Sequence, residues 1–424
     1  MKLTKVLISG FRSIKKAEPL LVDDKVTILI GANDHGKTNI LDAIEYLNDN
    51  KSFVEDDTNW DLDPDSEVSI EWYFTPSTDD LEKLSMLELT TEGTSEEARP
   101  PVFETNKDNQ IVYYRKLGEN KVRVKNIPTA VPVAKEAEVL LLRPRIELFA
   151  PPTANLKDQV NLSQLDSPDF EFMQGIFRLA GIWDYKKEIF IQNDKTSKLL
   201  DEASNQLTEI LNTKWNQGRD LKWKLEHTGT NGDHIVIKIQ DPAIGTRYTR
   251  PSLRSSGFRT YFLLSMITYA RTENKVADSY VYLFDEPGTY LHPHAQLDLQ
   301  RSFESISTKT QIVYTTHSLF LINKNYPGRN RVISKTTDGT KIDQKPFVKN
   351  WKSVRESLGI LLSNNFLIAE KTLLVEGPSD IIYILYSIKK LKKLGSTDID
   401  LNDLSVVDAG TSANYLAMAK LMVS

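Results

Sequence analysis

Cysteine is absent from the 424 residues. Disulfides, thiolate zinc sites and a cysteine nucleophile are therefore excluded, and the composition suits a reducing, cytoplasmic location. Long apolar runs are absent too. The longest, residues 261–270, is about half of the roughly twenty residues that a membrane-spanning helix needs, so no membrane partner is expected. The N-terminal MKLTK leads into strand-like sequence with no apolar core or small-residue cleavage site, unlike a signal peptide. Excess positive charge is also missing: 53 Lys and Arg stand against 58 Asp and Glu, a net −5. That excludes a globally basic nucleic-acid binder, so contact with DNA has to use a local patch or metal ions. Repeats and low-complexity tracts are lacking. What remains is 40% hydrophobic and 26% charged, the balance of a soluble globular protein whose length implies two or three domains.

Residues 2–9 and 67–74 alternate as half-buried strands do, and VTILI (26–30) is a short fully apolar strand. FRSI (11–14) reads as a turn, and a Gly-containing loop opens a helix over 39–47. Residues 49–65 are acidic and turn-rich, 88–101 loop-like, and 110–124 a strand pair. Beyond Pro151-Pro152, residues 169–213 carry helical periodicity. Strands at 221–227 and 234–240 flank Asn231-Gly232, a strong hairpin signal. A helix over 257–271, buried strands at 280–284 and 311–315, and a segment at 364–370 complete this part. A fresh strand (372–375), helix (379–394) and strand (404–407) follow.

GANDHGKT (31–38) matches G-x-x-x-x-G-K-[ST] between a strand and a helix, the context the motif requires. Glycines let successive backbone N–H groups face a polyphosphate, and the helix N-terminus adds positive potential. Gly31, Asn33, Asp34, His35, Gly36, Lys37, Thr38 and Asn39 are thus candidate ATP-binding residues. Lys37 reaches the β- and γ-phosphates, and Thr38 ligates Mg²⁺. The apolar strand VYLF ends in Asp285-Glu286. Asp285 can hold Mg²⁺ through water, and Glu286 can polarise the attacking water. Ser255-Ser256-Gly257, before a helix, resembles a signature loop that caps the γ-phosphate of a nucleotide on the opposite subunit; a Ser/Gly helix cap is the plainer alternative. His317 in VYTTHS resembles a switch histidine at the γ-phosphate. His292-Pro293-His294 has a spacing that suits a metal, or is simply the Leu-His-Pro that such ATPases carry after this strand.

FRSI, the P-loop, SSG, FDEP and TTHS together resemble an ABC-type ATPase head of the RecF/SMC kind. The resemblance implies a homodimer or higher homo-oligomer that sandwiches two ATPs. Two departures stand out. Phe258 occupies the place of a second signature glycine, and no glutamine suits the Q-loop, for which residues 141–150 are the candidate segment.

TLLVEGPSD (372–380) is an apolar strand followed by two carboxylates, Glu376 and Asp380. It resembles the opening of a Toprim domain, and LSVVDAGT (404–411) its next element. A head followed by Toprim is the layout of the OLD (overcoming lysogenisation defect) nuclease family, to which the Gabija nuclease subunit and several retron effectors belong. The implied fold is α/β: an ATPase head (1–154 and 216–365) with a helical insertion at 155–215 available for dimerisation, then a partial Toprim domain at 366–424. The implied activity is ATP hydrolysis controlling a metal-dependent DNA endonuclease in defence against phage. Its cofactors would be ATP and Mg²⁺, with Mn²⁺ an option at Toprim. Catalytic residues would be Glu286, His317, Glu376 and Asp380, and metal ligands Thr38, Asp285, Glu376 and Asp380. Implied partners are double-stranded DNA and a second defence subunit or nucleic-acid cofactor. The family's further Asp-x-Asp lies on a later strand than any in this sequence, so the nuclease site is expected to be incomplete. Asp398 and Asp400 have its spacing but precede the strand, and read as solvated. A strand end and a helix cap are the plainer alternative for Glu376 and Asp380, and the basic run 389–393 reads as a solvated helix face rather than a DNA contact. A RecF-like ATP-switched clamp or a scaffold subunit, neither of which cuts DNA, is the competing function.

Overall fold

A computed structural model describes residues 1–62, 67–85, 108–119, 121–125, 139–149, 157–167, 170–189, 193–214, 220–229, 233–255, 257–259, 262, 266, 280–307, 310–346, 354, 371–401 and 404–408. In chain order the elements are β1 (Lys2–Ser9), β2 (Glu18–Leu21), β3 (Val26–Ile30), α1 (Lys37–Glu45), β4 (Ser69–Thr75), α2 (Thr78–Ser85), β5 (Ile111–Lys116), β6 (Arg123–Val124), β7 (Arg145–Phe149), β8 (Gln159–Asn161), α3 (Glu171–Leu179), α4 (Tyr185–Glu188), α5 (Asp194–Lys214), β9 (Lys222–Thr228), β10 (His234–Gln240) and β11 (Tyr248–Thr249). Then come β12 (Tyr280–Phe284), α6 (Pro293–Ile306), β13 (Gln311–Thr316), β14 (Asn330–Thr336), β15 (Gly339–Asp343), β16 (Lys371–Val375), α7 (Pro378–Lys393) and β17 (Leu404–Asp408).

The central sheet runs β15-β14-β3-β13-β12-β7, parallel except for β15. Its inner strands are buried on both faces, as a covered parallel sheet requires. Successive side chains point to opposite faces, so each strand feeds two cores. Ile28, Ile30, Tyr282, Phe284, Ile312 and Tyr314 join one cluster. Leu29, Val281, Leu283, Val313 and Ile333 join the other. The second face is covered by α1 and the antiparallel sheet β2-β1-β4-β5-β6, whose strands alternate buried and half-exposed residues. The first is covered by α3, α5 and the small sheet around β10.

Residues 155–215 contain α3, α4 and α5 and also pack against the rest of the chain. β8 pairs with β10 of the C-terminal lobe, while Phe177 and Leu207 share a core with β3 and β13. The first helix starts at Lys37 rather than 39, because Gly36 takes a left-handed φ of 92° and starts it there. The strand expected from 67 begins at Ser69. The hairpin β14–β15 has no counterpart in the sequence reading, although Asp338-Gly339 with a left-handed glycine is its turn signal. The loop 88–101, Asn231-Gly232, most of 257–271 and the segment 364–370 lie outside the described residues. No helix among the described residues is long and apolar enough to cross a membrane.

The C-terminal pair β16–β17 is parallel, with α7 as the crossover between them.

Candidate functional site

The P-loop leaves the end of β3 and is braced on two sides. A Cβ at Gly31 would stand 2.7 Å from the Ile333 carbonyl, so only glycine admits this approach to β14. At Gly36 a Cβ would collide with Thr340 Oγ1 and lie 2.7 Å from Ser13 Oγ. Thr340 Oγ1 donates to Ser13 Oγ (2.8 Å) and also lies 3.1 Å from His35 O, and His35 Nδ1 lies 3.2 Å from Ile333 O. Asp34 takes a left-handed φ of 63° and pairs with Lys335 at 2.6 Å. The hydrogen bond and charge of Lys335 hold the Asp34 carboxyl below its usual range. Asn33 is exposed.

The FRSI turn forms the other brace. Arg12 Nε donates to Asp57 Oδ1 (2.9 Å) and Nη1 pairs with Asp42 of α1, while Asn39 Nδ2 donates to Ser13 Oγ (2.7 Å). Burial pushes the Asp57 carboxyl up, but hydrogen bonds from Tyr46, the Val54 N–H and Arg12 outweigh it and hold it low. Burial and Asp57 push the Tyr46 phenol up to about 12.

Lys37 is buried, with Nζ donating to Gly31 O (2.8 Å) and Ala32 O (3.0 Å). Glu286 Oε1 lies 3.0 Å from the same ammonium, an ion pair without hydrogen-bond geometry. Oε2 meets His317 Nδ1 at 2.9 Å and the His317 N–H at 3.3 Å. The structure thus gathers Lys37, Glu286 and His317, three residues from distant parts of the chain, into one row. Glu286 adopts a φ of 45°, uncommon for a residue with a side chain, and its N–H donates to Thr315 Oγ1 (2.7 Å). Strain of this kind persists where surroundings over-determine it, typically in active sites.

Asp285 accepts from Thr38 Oγ1 (2.9 Å) and Thr315 Oγ1 (2.6 Å). A hydroxyl and a carboxylate converging beside a phosphate cradle are the hard oxygen donors that Mg²⁺ selects, so these residues fit that ion. No side chain caps the first turn of α1. Its amides are left for an anion, as a nucleotide phosphate requires. Thr315 is a contributor that sequence reasoning misses, because TTHS draws attention to the histidine alone.

Ser255 Oγ accepts from the Phe258 N–H (3.3 Å), so it does cap the helix. Ser256 lies outside the described residues. At Gly257 a Cβ would stand 2.6 Å from Tyr290 O, which ties the signature segment to the loop after β12. Phe258 is 8% exposed and stacks on Trp223 and Phe262, with centroids at 6.0 Å and 6.1 Å. This aromatic stack is the physical reason for the missing glycine. Phe258→Gly is expected to cost roughly 4–6 kcal/mol, from core truncation plus a helical glycine. Thermal unfolding would show it as a fall of roughly 5–7 °C.

Residues 145–149 of the Q-loop candidate segment form β7, and Phe149 O accepts from the Asp285 N–H (3.0 Å). The rings of His292 and His294 stack at 5.8 Å. Among the described residues no group of three His, Cys, Asp or Glu could hold a metal.

In the C-terminal unit Glu376 is exposed at the end of β16. Asp380 Oδ2 accepts from the Gly377 N–H (3.0 Å), which makes Asp380 a helix cap at the least. Asp408 ends β17 directly across from Val375. Asp400 is not simply solvated. Its Oδ1 accepts from Asn325 Nδ2 (2.7 Å), and a contact 75 residues away is invisible to local sequence reasoning. From the basic run, Lys392 Nζ donates to Asn325 Oδ1 (3.3 Å).

The chain is similar to the Old nuclease of Escherichia phage P2, 23% identical over 100% of this chain and 75% of that protein. It is 24% identical to the endonuclease GajA of Bacillus cereus (strain VD045), over 90% of this chain and 66% of that protein. The SMC head domain from Thermotoga maritima superposes with a TM-score of 0.45 at 17% identity, over 81% of this chain and 98% of that one. Residues 1–135 and 152–322 match the AAA ATPase domain family. With that match covering most of its length, and the P-loop lysine, Asp285 and Glu286 assembled within it, the chain belongs to the AAA ATPase domain family.

Proposed function

We propose that this chain binds and hydrolyses ATP as part of an OLD-type DNA endonuclease, with Glu376 at the metal-dependent cutting site and double-stranded DNA as substrate. The observation that carries the reading is the row Lys37–Glu286–His317 beside the Thr38–Asp285 pair, in a chain similar along its length to two named nucleases. Lys37 and the P-loop amides bind phosphate, and Thr38 with Asp285 would hold Mg²⁺. When bound, that ion neutralises phosphate charge. Glu286 orients the attacking water, and His317 positions Glu286 from its far side. Ser255 and Gly257 offer the trans contact to a second copy, so the working form is a dimer. Glu376 supplies a carboxylate just beyond β16 and Asp380 one oxygen beyond its cap, and the resemblance to OLD nucleases implies that an Asp-x-Asp completes the set. Anti-phage defence follows from the resemblance to OLD nucleases.

Nicking of supercoiled plasmid with Mg²⁺ or Mn²⁺, wild type beside Glu376→Ala, tests the nuclease. Nicking by wild type that Glu376→Ala lowers by at least about 100-fold, as for removal of a metal-activating group, would show that Glu376 serves a cutting site complete without the further Asp-x-Asp. Equal cleavage by both proteins would refute the assignment. The use of Asp380 as a cap favours a second reading, an ATP-switched DNA clamp that does not cut. Absence of nicking together with ATP-dependent DNA retention would select it.

A further inference from the structure

We propose that the segment from His317 to Asn325, strapped along α6, carries the state of the nucleotide site to the C-terminal unit, with the Asn325–Asp400 contact as its output end. The inference rests on the reading that nucleotide governs chemistry at that unit. The segment starts at the site itself, where His317 meets Glu286 through ring and backbone. One residue on, Ser318 Oγ donates to Gln296 Oε1 on α6. Gln296 is 9% exposed, and its Nε2 donates to Gly288 O (3.0 Å) and Leu291 O (2.9 Å). One side-chain amide therefore joins the loop after β12 to the loop after β13, the two loops that carry Glu286 and His317.

A second strap lies eight residues along the helix, about 12 Å away. There Glu304 accepts from Asn323 Nδ2 (2.7 Å) and pairs with Arg329 (2.6 Å). Between the straps, the buried Tyr314 OH donates to Leu321 O (2.5 Å). A displacement of His317 and Ser318 cannot be absorbed within a segment held at three points against a helix and a core strand. It has to move α6 or the far end.

The far end is Asn325. Its Nδ2 donates to Asp400 Oδ1, and its Oδ1 accepts from the Leu401 N–H (3.2 Å) and from Lys392 Nζ (3.3 Å). Asp400 Oδ2 also lies 3.9 Å from Arg301 Nη2 of α6. A single amide thus grips the end of α7 and the residues that precede β17, whose parallel neighbour ends at Val375, next to Glu376. Polar contacts between partly exposed groups are individually weak, which suits a junction that is remade when the site changes. Coupling of this kind needs a contiguous physical connection, and this one runs from Glu286 to Lys392, Asp400 and Leu401 of the C-terminal unit.

The test is amide hydrogen exchange of the full chain, with and without Mg²⁺ and a non-hydrolysable ATP analogue. In wild type, saturating analogue is expected to change exchange in 371–393 by at least about threefold. Asn325→Ala is expected to abolish that change while binding the analogue within about twofold of wild type. Asp400→Ala, which removes the partner instead, should do the same and serves if the first variant does not fold. An unchanged response in both variants, or no response in wild type at saturation, overturns the proposal. Plasmid nicking plays no part in this readout, so failure of the nuclease reading is separable from failure of the lever. Analogue titration of wild type tests the nucleotide site on its own.

Discussion

Lys37→Ala is expected to weaken ATP binding by at least about 100-fold, measured by titration calorimetry in the presence of Mg²⁺. The lysine ammonium already has a crowded neighbourhood, with two P-loop carbonyls and Glu286 within 3.0 Å. It lies buried among acceptors, so nucleotide phosphates would have to draw it away from Glu286. Each charge-assisted hydrogen bond contributes about 1.5–3 kcal/mol, so two to phosphate amount to roughly 3–6 kcal/mol. That corresponds to about two to four decades in affinity. Alanine also leaves Glu286 facing the phosphates with its counter-charge gone, which adds repulsion to the loss of attraction. Retained micromolar affinity in the variant would refute the assignment of this loop to the phosphates. The fold should tolerate the change, because Gly31, Gly36 and the two braces set the loop by backbone approach rather than through the lysine.

Sequence pattern reveals the central sheet well, because strands such as Val26–Ile30 and Tyr280–Phe284 are apolar runs bounded by turn residues. The same property hides which face is which. When both faces are buried, alternation carries no polarity signal, so the two cores become apparent only from the packing. The nucleotide site is legible for a related reason: P-loop chemistry needs glycine, lysine and threonine at fixed spacing, whatever the rest of the chain does. Its bracing is not legible. Thr340 and Lys335 lie on a hairpin rich in exposed polar residues, and they reach the P-loop across about three hundred positions. Phe258 is a contrary case, where a motif mismatch has its explanation in Trp223 and Phe262. Asp400 shows the limit most plainly. Locally it is an acidic loop residue, and only the tertiary partner Asn325 turns it into a junction.

Glu286→Gln is expected to bind ATP and to turn it over at least about 100-fold more slowly, the usual scale for removing a general base. The amide keeps the length and hydrogen-bonding reach of the side chain but cannot polarise water. It also cannot form the ion pair with Lys37 or accept from His317 as a carboxylate does. This has a second, measurable consequence. In the wild type, Glu286 competes with phosphate for the buried Lys37, and removing that competitor is worth at least about 0.5–1 kcal/mol, the scale of a solvent-screened pair. The variant should therefore bind ATP several-fold more tightly at the same time as it stops hydrolysing it. Tighter binding with arrested turnover favours the ATP-loaded dimer, which light scattering behind a sizing column would detect as a nucleotide-dependent doubling of mass. The outcomes discriminate between roles for this residue. A merely structural Glu286, held at its left-handed backbone position by Thr315 and His317, would lose stability on substitution and leave turnover per folded molecule unchanged. Arrested turnover in a protein of unchanged melting temperature identifies Glu286 as the group that acts on water. The same result explains why its carboxylate is spanned by Lys37 on one side and His317 on the other.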